Sequence, residues 1–239
     1  MATETTTVQM PDGGSMGAYV ALPESGSGPG VLVLMEIFGV GTYIRRACER
    51  LAELGYVAMA PDLYRRIDPG LEIEHTEDGI GRAMQKVQQL DGEGAVADAA
   101  VALDALRARP DVEGPVAAVG FCLGGRLAFL LGAAADPDAI VCYYGSGIAD
   151  SLDAAADIGC PALFHYGGED PYIPRSDAEK VQPVVAERPG WEIAIQEDGG
   201  HAFDNHDAPM FYRPEAAARA WELTRDFLAR RLRVAQGAP

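Results

Sequence analysis

Residues 115–125 read "PVAAVGFCLGG". An apolar run closes on Gly120, a cysteine stands at 122 among closely spaced glycines, and a second apolar run, "RLAFLLGAAA" (126–135), follows at once. The first run predicts a strand over 115–121, and the second a helix over 123–135. A buried structural cysteine has no use for these glycines. A nucleophile on a strained strand-to-helix turn does, because its neighbours on such a turn must be small. The helix behind it would bring a positive dipole end and free N–H groups, and the N–H of Leu123 would point at a developing oxyanion. The competing reading is a buried core thiol, a common fate of cysteine.

Working outward, the same alternation recurs. "GVLVLME" (30–36), "YVAMAPDL" (56–63), "AIVCYYG" (139–145), "CPALFHYG" (160–167) and "WEIAIQE" (191–197) read as strands, several of them continuously apolar as expected of strands buried on both faces. Helical spacing appears over 43–55, 175–187 and 215–232, and over 81–108 in two pieces broken near "DGEG" (91–94). The opening "TTTVQM-PDGGS-MGAYVALP" reads as a β-hairpin around a Pro-Asp-Gly-Gly turn. Residues 64–80 are a long polar excursion expected near the site. This order predicts an α/β fold in a single domain over 1–239: one mainly parallel sheet, helices on both faces, and the hairpin at one edge. In such sheets sites form at the carboxyl ends of the strands.

The chain has 239 residues and a formal net charge of −17. That balance argues against nucleic acid and anionic membranes, which call for basic patches, and it obliges any anionic substrate to find a local positive pocket. The N-terminus lacks a basic region followed by an apolar one, and no apolar run approaches the ~20 residues of a spanning helix, so a soluble, cytoplasmic protein is expected. Cys48, Cys122, Cys142 and Cys160 show no metal-ligand spacing, and are expected as free thiols without a metal site.

A thiol nucleophile needs a base, and the base an orienting acceptor. "HYGGEDPYIP" places Asp170 just beyond a strand, and "EDGGHAF" places His201 in a loop after the next. The order nucleophile, acid, histidine is that of the α/β-hydrolases. Glu169 is the rival acid, expected to face solvent. His165 reads as a hydrogen-bonded core residue, His75 as part of a charged loop, and Asp198 and Asp204 as loop polarity. Glu36 ends an apolar strand, where a carboxylate is costly unless partnered; it is expected beside Cys122, the two sharing a proton or staying uncharged. The N–H of Ile37 is the natural second oxyanion donor.

"MEIFG", "APDLY", "GFCLGG", "YYG", "PALFHYGGED" and "GHAF" together resemble the dienelactone hydrolase family, from about residue 16 to residue 232. The resemblance implies an α/β-hydrolase fold without a cofactor, a Cys122–His201–Asp170 triad, and a Glu36 that keeps the resting thiol neutral and helps form the thiolate when substrate displaces it. It implies hydrolysis of a small lactone or ester, the family's named reaction being the opening of a carboxymethylenebutenolide to maleylacetate in aromatic degradation. It places Arg82, Phe38, Tyr144 and Asn205 around the substrate. The family holds the substrate carboxylate with two arginines. Arg82 aligns with one, while the other position is Asn205, a neutral amide that cannot supply a guanidinium's charge or fork; Arg213 is a substitute to be weighed. The rival readings are a general carboxylesterase, thioesterase or dehalogenase-like hydrolase of the same fold, and a non-catalytic redox-sensing or binding protein. A monomer or homodimer is expected.

Overall fold

The structure, a computed structural model, describes residues 1–232. Eight strands form one sheet: β1 (Ala2–Gln9), β2 (Ser15–Leu22), β3 (Gly28–Leu34), β4 (Val57–Pro61), β5 (Val112–Phe121), β6 (Ala139–Tyr143), β7 (Ala162–Gly167) and β8 (Trp191–Gln196). Their order is β1-β2-β4-β3-β5-β6-β7-β8. β1 pairs antiparallel with β2, and β2 with β4; every other pairing is parallel. The expected edge hairpin is therefore β1–β2, its turn closed by the Met10 N–H bonding to the Gly14 carbonyl at 3.0 Å.

The apolar runs explain the order. β3, β4, β6 and β7 are buried at every residue, as strands covered on both faces must be. β1, at the edge, buries only Val8 fully. The helices are α1 (Thr42–Glu53), α2 (Glu77–Val87), α3 (Gly92–Arg107), α4 (Leu123–Ala135), α5 (Arg175–Ala186) and α6 (Pro214–Arg231). α3 and α4 pack on each other and on the central strands. α1 and α6 meet where the Arg50 guanidinium lies 3.9 Å from the Trp221 ring centroid. α6 is pinned beneath the sheet by Thr224, whose hydroxyl lies 2.7 Å from Tyr143 Oη and 2.9 Å from His165 Nε2. His165 is thus the hydrogen-bonded core residue expected of it, and burial pushes its ring down to a pKa of about 3.

α2 begins earlier than the apolar spacing indicates. Thr76 caps it, its Oγ1 accepting the Gly79 N–H at 3.0 Å, and Glu77 and Asp78 complement the positive end of the helix. The irregular excursion before it folds back on the loop after β3. The Ile73 N–H donates to the Phe38 carbonyl at 3.0 Å, and Phe38, Ile73 and Ala83 form a small apolar cluster of their own.

Candidate active site

The turn that opens α4 is built as its glycines require. Cys122 has φ 53° and ψ −114°, a left-handed-side conformation that a side chain adopts only under constraint. Its N–H donates to the Tyr143 carbonyl at 3.0 Å, and its carbonyl accepts from Gly125 N at 3.0 Å and Arg126 N at 3.3 Å. A Cβ at Gly120 would stand 1.9 Å from the Gly124 carbonyl oxygen, and one at Gly124 2.1 Å from that of Leu34. The two glycines let β3, β5 and the helix start crowd together, which lifts the Cys122 side chain clear at the strand's carboxyl end.

His201 and Asp170 reach it from the ends of β8 and β7. His201 Nε2 lies 3.1 Å from Cys122 Sγ, and His201 Nδ1 lies 2.8 Å from Asp170 Oδ2. Asp170 is held in turn, its Oδ1 accepting the N–H groups of Tyr172 (2.8 Å) and Ile173 (2.9 Å). Burial opposes a charge on His201, but the adjacent Cys122 sulfur and the Asp170 carboxylate outweigh it and raise the imidazole well above its ordinary pKa. Glu169, the rival acid, is exposed.

Glu36 sits 2% exposed just past β3 and faces the same cavity as Cys122. Its hydrogen-bond partners differ from expectation. Oε2 accepts from Asn205 Nδ2 at 2.9 Å and lies 3.4 Å from His75 Nε2, while Oε1 is buried without a partner. Asn205 Oδ1 accepts the Asp207 N–H at 3.0 Å, which turns the amide nitrogen toward both Glu36 and His75 Nε2 (2.9 Å). That nitrogen can only donate, so His75 Nε2 accepts and the ring carries its proton on Nδ1. His75, read from sequence as loop charge, is therefore a member of this cluster, its ring centroid 4.2 Å from that of Phe38.

The cavity beside Cys122 has a volume of about 300 Å³. Glu36, Cys122 and His201 supply its polar floor. Ile37, Phe38 and Leu123 line it from the ends of β3 and β5, and Ile80, Met84 and Val87 present one face of α2. Arg126, Ser146, Tyr172, Ala202 and Phe211 complete it. Leu123 is the first residue of α4, where an N–H has no intrahelical acceptor.

Three expected substrate contacts are corrected. Arg82 lies two residues from Ile80 and Met84 on α2, so it points away from the cavity into solvent. Asn205 is wholly buried behind Glu36, and its amide is consumed by Glu36, His75 and Asp207. Tyr144 is also wholly buried, its hydroxyl 3.1 Å from that of Tyr43 and its ring 5.4 Å from His201, so it backs the histidine and lines no part of the cavity. Arg213 donates to the carbonyls of Met210 and Tyr212 and stays outside the cavity. Of the four tentative positions only Phe38 faces the space. Asp204 is more than loop polarity: 1% exposed, it accepts from Tyr43 Oη at 2.9 Å and Arg50 at 3.0 Å, tying the histidine loop to α1. Arg126 had no place in the sequence reading, although it stands one helical turn beyond Cys122.

Among the described residues no group of three or more His, Cys, Asp or Glu side chains could hold a metal ion, and no helix is long and apolar enough to cross a membrane.

The arrangement matches known proteins along nearly its whole length. The dienelactone hydrolase family matches residues 16–232. A carboxymethylenebutenolidase of Pseudomonas putida is 35% identical over 230 residues, covering 96% of this chain and 97% of that one. The crystal structure of a dienelactone hydrolase-like promiscuous phosphotriesterase from metagenomic libraries superposes with a TM-score of 0.81 at 26% identity, covering 98% of this chain and all of the other. A dienelactone hydrolase from Anabaena variabilis, at 15% identity and a TM-score of 0.72 over 97% of this chain and 99% of its own, shares the α/β-hydrolase fold. The chain belongs to the dienelactone hydrolase family and is a hydrolase of lactone or ester bonds.

Proposed function

We propose that this hydrolase opens small lactones or esters through a Cys122 thiolate. The observation that carries the reading is the unbroken line from Asp170 Oδ2 through His201 to Cys122 Sγ, at 2.8 and 3.1 Å, on a strained turn facing a cavity. Asp170 fixes the imidazole tautomer with a proton on Nδ1, which leaves Nε2 to take the thiol proton. The sulfur attacks the carbonyl carbon, and the carbonyl π electrons move to oxygen, where the N–H groups of Leu123 and Ile37 receive the negative charge. On collapse the C–O bond breaks. The leaving oxygen takes the proton from His201 Nε2, or departs as an enolate where the lactone allows one, and a thioester remains on Cys122. A water then attacks the thioester carbon, giving its proton to His201 or to the enolate. The acid leaves and Cys122 is regenerated.

Glu36 joins this reading as a positioning group. Its carboxylate faces the cavity yet is anchored on the Asn205 amide, which also donates to His75, so in this geometry it leaves Cys122 to His201. A carboxylate with one oxygen lacking a partner is free to exchange donors when a substrate enters.

The test is hydrolysis of a cis- or trans-dienelactone, simple p-nitrophenyl acyl esters and a phosphotriester, the last prompted by the activity named for the metagenomic relative. Turnover of at least one lactone or ester should fall by roughly 10⁴- to 10⁶-fold in Cys122→Ala, the range seen when a nucleophile is removed. Undiminished turnover in that variant would sink the thiolate mechanism.

A further inference from the structure

Arg126 is the one arginine or lysine lining the cavity, and among the described residues no carboxylate pairs with it. It lies one turn after the Cys122 cap, with its N–H on the Cys122 carbonyl at 3.3 Å, so its side chain leaves α4 on the nucleophile's side. Among the described residues, Arg82 and Arg126 are the two cationic side chains with no hydrogen bond or ion pair to the protein. Arg82 points into solvent; Arg126 faces the cavity. Asp91 and Glu93 border the adjoining groove together with Arg126, yet neither pairs with it. In a chain of 36 acidic and 19 basic side chains, an arginine without a carboxylate partner on the same cavity as Cys122 is a cation available to an anionic ligand.

The wall also seats the guanidinium. Gly147 has φ +82°, and a Cβ there would stand 3.3 Å from Arg126 Nη1 and 3.4 Å from its Cδ and Cζ. The bare backbone thus lets the arginine lie against it with its fork exposed. The rest of the lining is largely apolar, while Arg126 itself is exposed, so the pair it can form is a charge-assisted one at the cavity mouth, partly screened by solvent.

We infer that Arg126 reads the substrate's charge: the compounds this site turns over carry a carboxylate that pairs with its guanidinium while the scissile carbonyl rests on Cys122. This rests on the hydrolase mechanism proposed above, but places the anion at α4 and not at Arg82 or Asn205, neither of which lines the cavity.

Two measurements test it. The first compares kcat/KM for p-nitrophenyl hydrogen adipate and for its neutral methyl ester, in wild type, Arg126→Gln and Arg126→Lys. The second compares alkylation of Cys122 by iodoacetate and by iodoacetamide, each displacing iodide to leave a thioether on Sγ; Cys48, Cys142 and Cys160 are buried and do not compete. Arg126→Gln should lower the anionic-to-neutral kcat/KM ratio by roughly 10- to 100-fold, the worth of a charge-assisted pair, with partial recovery in Arg126→Lys. The iodoacetate-to-iodoacetamide ratio should fall in the same variant. If ester turnover is present and its ratio stays within about twofold in Arg126→Gln, the assignment is overturned. If wild type hydrolyses neither ester, the mechanism proposed above is what has failed for these substrates, and the alkylation ratio alone decides Arg126: a drop upholds it and an unchanged ratio ends it.

Discussion

Two polar clusters meet at the cavity, and they are built to opposite standards. In the first, Asp170 binds two backbone N–H groups with one oxygen and His201 with the other, and His201 spans to Cys122. In the second, Glu36 has one donor, the Asn205 amide; the His75 nitrogen 3.4 Å away is itself an acceptor, and the other carboxylate oxygen is buried without a partner. The first is saturated and therefore fixed. The second is under-supplied with donors, in a place where an unsatisfied carboxylate oxygen is costly. The Cys122–His201–Asp170 line is thus held rigidly, while the neighbouring Glu36 carboxylate is held by one side-chain donor.

The saturated cluster should break hardest. Asp170→Asn keeps the oxygen that accepts from Tyr172 and Ile173 but offers His201 an amide, which favours the wrong tautomer. We expect kcat to fall by roughly 10⁴-fold with little change in folding, by analogy with the same change in serine triads. A loss under about tenfold would mean that Asp170 only shapes its loop.

The turn that carries Cys122 is the next point of attack. Gly124→Ala drives a Cβ against the Leu34 carbonyl, backbone against backbone, with no flexible side chain to yield. A destabilisation of about 3 kcal/mol or more is expected in urea unfolding, at the upper end of overpacking costs. Gly81→Ala, whose Cβ would meet nothing, is the control; inside α2 it should leave the protein at least as stable as wild type, with a gain of up to about 1 kcal/mol.

The weaker cluster should respond less. Asn205→Leu removes the amide that serves Glu36 and His75, and should cost about 1–3 kcal/mol, the penalty for stranding a buried acceptor. Pairing it with Glu36→Gln in a double-mutant cycle checks the coupling; additive losses would show that Asn205 does not hold Glu36.

The smallest effect is a pH dependence. The folded state raises His201 above its ordinary value of 6.5, because Cys122 and Asp170 together outweigh burial. A raised value in the folded state contributes stability that is present below about pH 6.5 and fades as pH climbs through the higher folded value. The stability gap between wild type and His201→Gln, followed by urea unfolding, should therefore narrow as pH rises above 6.5. A gap that widens with pH would mean that His201 is held neutral.

Much of the architecture was legible because it rests on local chemistry. Continuous apolar runs marked the doubly covered strands, and Gly120, Gly124 and Gly125 marked the turn that only small residues can make. Asp170 and His201 declared themselves by standing in loops just past strands. The start of α2 was legible too, in the Thr-Glu-Asp of residues 76–78, but the polar character of the excursion concealed it.

What stayed hidden depends on direction. Arg82 and Met84 are two positions apart on one helix, and only the docking of α2 shows which of them meets the cavity. Asn205 is expected at the substrate from the family resemblance, yet its loop, held by Asp204 on Arg50 and Tyr43, turns it inward onto Glu36. His75 and Glu36 are 39 residues apart, and nothing local links them. Sequence by itself determined the sheet, the strand-to-helix elbow and the placing of Cys122, Asp170 and His201 past strand ends, because strand burial and backbone strain are written in neighbouring residues. Only the tertiary structure decided that one Asn205 amide serves both Glu36 and His75 and that Arg126 stands on the cavity wall without a carboxylate, because the partner of a charge is set by which faces the packed elements turn toward one another.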